Sequence, residues 1–66
     1  MRLNQLQALR ERAGLTQAAL AQRSGVTQGK ISDYETGKTI PRLDSAMKLA
    51  AALNVPLEML IDTKVS

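Results

Sequence analysis

The sequence predicts an all-α domain built from five short helices. Apolar residues recur at three- and four-residue spacing, as in Leu3, Leu6 and Leu9 and again in Ala46, Leu49, Ala50 and Leu53. Gly14, Gly25, Gly37, Asn54 and Pro56 punctuate the chain between these periodic segments. No stretch alternates β-branched residues with period two, so no strand is predicted.

The first helix is expected over about residues 2–13, with Leu3, Leu6, Leu9 and Ala13 as its apolar stripe and Gly14 as a left-handed stop. Thr16 is a suitable N-cap for a second helix over about residues 16–23. In the stretch SGVTQGK, Gly25 breaks the chain and Thr27 caps a third helix, over about residues 27–36 with Gly37 behind it. GKTIP cannot remain helical, because the residue before Pro41 is pushed towards extended geometry. A fourth helix is expected over about residues 43–53, with Leu43, Ala46, Leu49, Ala50 and Leu53 on one face. Asp44 sits in its first turn, where the helix dipole favours negative charge, and Asn54 ends it. Pro56 opens a fifth helix, PLEMLI, over about residues 56–62. Met47 and Met59 are expected to be packing residues.

Composition bounds the functional classes. The chain has 66 residues, 44% of them hydrophobic, which predicts one globular domain. A chain of this size buries only about 60% of the surface its unfolded form exposes. It contains no Cys and no His, so neither disulfides nor a structural zinc site are expected to reinforce it, and efficient helix packing or a partner subunit must serve instead. No apolar run approaches membrane-span length, and MRLNQLQALRER lacks the apolar stretch of a signal peptide. The absence of Cys fits a reducing cytoplasm, the expected location. Without His there is no Ser-His or Cys-His nucleophile, no phosphate-binding glycine loop is present, and the acidic residues are scattered. No catalytic residues, metal or cofactor are therefore expected. The net charge of +3 is compatible with a nucleic acid or another acidic surface.

The break at Gly25 has a functional reading. Two helices joined by a tight glycine-containing turn form a helix-turn-helix. Leu20 and Ala21 lie on the inner side of the second helix, and Val26, Ile31 and Tyr34 fill the space beneath the pair. On a wheel at about 100° per residue, the opposite side of the third helix carries Gly29, Ser32, Asp33 and Thr36, flanked by Gln28 and Lys30. That side has no large apolar residue and offers short polar groups that donate or accept hydrogen bonds, a face that fits the DNA major groove, where base edges present a distinct pattern of donors and acceptors. Arg10 falls on the apolar flank of the first helix and Glu35 on the core side of the third. The simplest explanation is that they pair and clamp the two helices together.

T-Q-x-x-L-A at Thr16–Ala21, S-G-V-T at Ser24–Thr27 and I-x-x-Y-E-x-G-K at Ile31–Lys38 occur in order, followed by Pro41 and a segment ending ALNVPLEML. Together they resemble the helix-turn-helix domain of the lambdoid phage repressor and Cro family, over nearly the whole chain. The resemblance implies a compact repressor-like domain whose second and third helices form the motif. It implies that Gln28 reads a base, with Gly29, Ser32 and Asp33 at the other base-facing positions. It also implies that Gln17 grips a backbone phosphate and braces Gln28, and that Lys38, Thr39 and Arg42 run along the phosphate backbone. Thr27 and Lys30 are grouped with these phosphate contacts. The same resemblance implies the Arg10–Glu35 pair. Gly29 reads nothing directly, and leaves room for close approach or for a thymine methyl. Asp33 could accept from a cytosine amino group, cap Lys30 or repel phosphate.

The implied function is a dimeric transcription repressor on double-stranded DNA, with half-sites about 34 Å apart. The fifth helix is the expected dimer surface, through Pro56, Leu57, Met59 and Ile61, with Leu60 turned inward. An antitoxin bound to a toxin, a restriction-modification controller acting on RNA polymerase, and a helical domain that no longer binds DNA are the alternatives on the same fold.

Overall fold

The computed structural model describes residues 5–60. In chain order α1 spans Leu6–Arg12, α2 Gln17–Ser24, α3 Gln28–Thr36, α4 Leu43–Leu53 and α5 Leu57–Leu60. The fold is all-α, in agreement with the patterning. α4 has the expected bounds, α2 and α3 each begin one residue late, with α2 ending at Ser24, and α1 and α5 differ further. α1 begins at Leu6, with Gln5 in a turn before it, and stops at Arg12. α5 begins one residue after Pro56, whose carbonyl accepts from Met59 N at 3.0 Å. The predicted extensions to residues 2–4 and 61–62 lie outside the described residues.

Local chemistry explains the break that makes the motif. Thr16 holds extended backbone and its hydroxyl accepts from Ala19 N at 3.0 Å. Thr27 does the same for α3, accepting from Lys30 N at 3.4 Å. Caps of this kind contribute about 1 kcal/mol each. Between them Gly25 adopts φ +80°, a left-handed conformation that costs a residue with a Cβ about 1–2 kcal/mol. Its N–H closes α2 on Ala21 O at 2.9 Å, while Ser24 Oγ accepts from Val26 N at 3.1 Å. The chain thus leaves one helix and enters the next with the amides of Gly25 and Val26 bonded.

The far end of α3 is closed just as tightly. Gly37, at φ +77°, donates to Tyr34 O at 3.2 Å, and Lys38 N donates to Asp33 O at 2.8 Å. This is the paired bonding of a Schellman stop. α4 ends in the same way at Asn54, which takes φ +57°. Asn tolerates that region better than other residues with a side chain.

The core is one apolar cluster. Leu6 and Leu9 of α1, Leu20 of α2, Val26, and Ile31 and Tyr34 of α3 meet Ala46, Leu49, Ala50 and Leu53 of α4 and Leu60 of α5. α4 packs on both α2 and α5, and α1 packs on α3. Ala21 lies half-buried against the cluster, its small side chain suiting the close packing of α2 on α3.

The expected apolar faces need four corrections. Ala13 is exposed, because it falls beyond the last residue of α1. Leu43 and Met47 are each 55% exposed. On a helical wheel they stand about 70° and 110° from the centre of the Ala46, Leu49, Ala50 and Leu53 face. Met59 is 46% exposed, because Leu57 and Leu60 take the inward positions of the single turn of α5.

Leu20→Ala should therefore cost about 2–5 kcal/mol by urea denaturation, a large share of the stability of a domain this size. Leu43→Ala should cost under about 1 kcal/mol, since its side chain stays largely in water. Equal losses for the two would contradict the assignment of the α4 face.

Candidate nucleic-acid interface

The rear of the site is a polar cluster joining three helices. Arg10 Nε donates to Glu35 Oε2 at 2.6 Å and Arg10 Nη2 to Glu35 Oε1 at 3.1 Å, a bidentate pair between α1 and α3. Arg10 Nη1 donates to the carbonyl of Leu15 at 2.8 Å, which holds the α1–α2 connection to the same guanidinium. Gln17 Nε2, from α2, donates to Glu35 Oε1 at 3.0 Å. The side chains of Arg10 and Glu35 are 11% and 4% exposed, so both charges are largely removed from water. Hydrogen bonding to Glu35 raises the Arg10 pKa above its ordinary value, against the opposing effect of burial, so the pairing favours the charged guanidinium.

The front of the site is the outward surface of α3. Gln28, Gly29 and Lys30 are exposed in its first turn, and Ser32 and Asp33 are half-buried further along. Ile31 and Tyr34 point the other way into the core, 0% and 7% exposed. Thr36 adds less than its wheel position suggests. Its hydroxyl turns back to donate to the carbonyls of Ser32 at 3.0 Å and Asp33 at 3.2 Å, so its proton is used within the helix. At Gly29 the backbone is helical and, apart from its chain neighbours and the backbone of its own helix, no atom lies within 4 Å of where a Cβ would stand. The fold itself does not require a glycine there.

Cations and hydroxyls border this surface. Thr27, Lys38, Thr39 and Arg42 are all exposed. Lys30, Asp33, Thr39 and Arg42 share a shallow groove between α3 and the start of α4. Asp33 makes no ion pair with Lys30 or with any other cation among the described residues. Arg42 occupies the N-cap position of α4 in extended geometry, and its side chain makes no capping bond, which leaves the guanidinium to solvent. From Thr16 to Leu43 the chain carries Arg23, Lys30, Lys38 and Arg42 against Asp33 and Glu35. Glu35 is neutralised by Arg10, which leaves this side of the molecule positive.

Two features were not legible in the sequence. The bond from Gln17 to Glu35 joins residues 18 apart on different helices, with no local spacing to signal it. In the free chain the Gln17 amide is bonded to Glu35, and no hydrogen bond joins it to Gln28, as the bracing role would require. Ile40, 68% exposed, brings an apolar side chain to the edge of the groove. At α5, Pro56 and Met59 are exposed while Leu57 is partly buried against the domain's own core; Ile61 lies outside the described residues. Leu60 is fully buried. Among the described residues no group of carboxylates is arranged to hold a metal ion, and no helix is long and apolar enough to cross a membrane.

The geometry is thus a two-helix motif with a left-handed glycine corner, a polar outer face and a buried clamp behind it. A model of the helix-turn-helix family matches residues 6–60. The chain belongs to the Cro/C1-type helix-turn-helix family. It is 47% identical over 58 residues to the HTH-type transcriptional repressor RghR of Bacillus subtilis (strain 168). The alignment covers 86% of this chain but 43% of that relative, so the similarity concerns less than half of the longer protein.

For this helix-turn-helix domain, Glu35→Ala should cost about 3–5 kcal/mol, since it strands the largely buried guanidinium of Arg10. Total stability at this length is about 3–10 kcal/mol, so the variant should lose a large part of it, and at the lower end of that range should be mostly unfolded by circular dichroism. Replacing both partners, as Arg10→Met with Glu35→Leu, should recover most of that stability. A Glu35→Ala variant with an unchanged urea midpoint would count against the clamp.

Proposed function

We propose that this domain is a sequence-specific double-stranded DNA-binding transcription regulator, acting as a dimeric repressor that reads a palindromic operator through the major groove. The observation that carries this reading is the division of α3 into two faces. Ile31 and Tyr34 are held in the core, while Gln28, Gly29, Ser32 and Asp33 lie on the outward side with cations around them. An α-helix fits the major groove, and a Gln amide can bond adenine in a bidentate manner. The similarity to a relative named as a transcriptional repressor supports the same class.

In this reading the residues divide by task. Gln28, Ser32 and Asp33 meet base edges, and Gly29 lets the backbone approach. Gln17, Thr27, Lys30, Lys38, Thr39 and Arg42 meet phosphates, which set register and orientation without carrying sequence information. A second copy, docked through Pro56 and Met59 with the edge of Leu57 and with Ile61, supplies the other half-site. Occupying a promoter then excludes polymerase without further chemistry, and the cytoplasm is where such a protein meets its DNA.

A gel-shift assay against DNA upstream of the protein's own gene, at stated salt, tests the class. A retarded, sequence-dependent complex is expected, and its absence at low ionic strength would overturn the reading. If each subunit places about four cations on phosphates, the log–log salt slope of the dimer is near −7. Lys38→Ala should make that slope shallower by about 0.9 for every phosphate no longer neutralised, leaving base preference unchanged. Gln28→Ala should do the reverse, costing about 1–3 kcal/mol of discrimination at one base position.

Gly29→Ala should separate folding from binding. The free domain should gain up to about 1 kcal/mol, since a helical glycine is replaced where a methyl has room. DNA binding should weaken at the same time. A variant that gains stability and binds as wild type would remove the close approach at Gly29.

A further inference from the structure

The Arg10–Glu35 pair lies behind the reading surface, yet one of its carboxylate oxygens also accepts from Gln17, a residue assigned above to phosphate contact. Glu35 Oε1 takes bonds from Arg10 Nη2 at 3.1 Å and from Gln17 Nε2 at 3.0 Å, while Oε2 takes Arg10 Nε at 2.6 Å. We propose that Glu35 is a positioning residue for DNA binding: it fixes the side-chain amide of Gln17 in the orientation that meets a backbone phosphate. The proposal rests on the DNA-binding reading above.

Donor and acceptor chemistry sets that orientation. An ionised carboxylate only accepts, so it admits the nitrogen end of the Gln17 amide and rejects the oxygen end. That fixes which way the planar group is turned. One Nε2 hydrogen is consumed by Glu35, and the other has no acceptor among the described residues. Oε1 of Gln17 has no partner there either. No buried side-chain oxygen or nitrogen among the described residues lacks one, so this oxygen faces solvent. Gln17 therefore keeps one free donor and one free acceptor in fixed relative positions. It is also the first residue of α2, where the positive end of the helix dipole favours an anion. A phosphate can take the free N–H, and the amide of Gln28 can donate to the free oxygen once DNA draws the two together.

Arg10 completes the device. An unpaired Glu35 would place a negative charge behind a phosphate-binding group. The bidentate guanidinium cancels that charge without competing for the free atoms of Gln17. A Gln17 released from Glu35 would have to give up side-chain rotamer freedom on binding and would sample both amide orientations.

The test uses a fluorescein-labelled mixed-sequence duplex at low ionic strength, because a phosphate contact does not depend on base sequence. Binding is measured for wild type, Gln17→Ala, the paired replacement Arg10→Met with Glu35→Leu, and the combination of all three. The paired replacement leaves net charge unchanged, and its folding is checked by urea denaturation. Gln17→Ala is expected to weaken binding about tenfold, the scale of a hydrogen bond to a charged group. The paired replacement should weaken it to a similar degree with an unchanged salt slope, and adding Gln17→Ala to it should cost little more. Binding by the paired replacement equal to wild type, or a full further tenfold weakening in the combination, would overturn the proposal. A wild-type protein that binds no duplex would instead remove the DNA-binding reading itself. Should the paired replacement not fold, the wild-type side-chain amide resonances decide. Titrating the duplex should shift the Gln17 hydrogen that does not face Glu35 and leave the other nearly in place; no shift at either overturns the proposal.

Discussion

Everything on the presented face of α3 depends on how its back is held, and the hold that is not simply apolar packing is the carboxylate of Glu35. Groups from three parts of the chain converge on it or on its partner: Arg10 from α1, the carbonyl of Leu15, and Gln17 from α2. Burying such a pair carries a desolvation penalty, and an apolar substitute of equal volume can be as stable. What the pair adds is direction. Ile31 and Tyr34 could sit on a greasy surface with some latitude, whereas a bidentate guanidinium–carboxylate contact fixes the rotation of α3 about its own axis. That rotation decides which side chains face outward.

The fold was legible where chemistry is local. Thr16, Gly25, Thr27, Gly37 and Asn54 each announce a start or stop through a cap or a left-handed backbone, and the structure uses each of them in that way. Legibility failed where a face is only one edge of an apolar stripe. Leu43 and Ala13 fit helical spacing, but spacing does not say where the covering helix ends. It failed again for Gln17. Its position in the pattern marked it as a surface residue of interest, yet its partner came from 18 residues away and could be found only in three dimensions. Thr36 shows a subtler limit: the wheel placed its hydroxyl outward, and the helix backbone claimed the proton.

The outward face also reveals where stability yields to function. A helix of nine residues carries a glycine in its first turn with open space around it, and an acidic side chain near cations with which it does not pair. Neither choice helps the free domain. Both are intelligible if the surface is completed by a duplex that supplies contacts at Gly29 and a donor for Asp33. The core beneath is built from aliphatic residues and one tyrosine, and the closed ends of α2, α3 and α4 let the small domain tolerate these concessions.

Backbone-amide chemical-shift mapping with a short duplex measures the central relation directly, since it locates the contacted surface residue by residue. The largest shifts are expected at Gln17, at residues 27–33 and at residues 38–42, with the exposed Gln7–Glu11 side of α1 nearly unchanged. Shifts concentrated on α1 or on the Leu43–Met47 edge of α4, with residues 28–33 silent, would contradict the assignment of α3 as the helix that meets DNA.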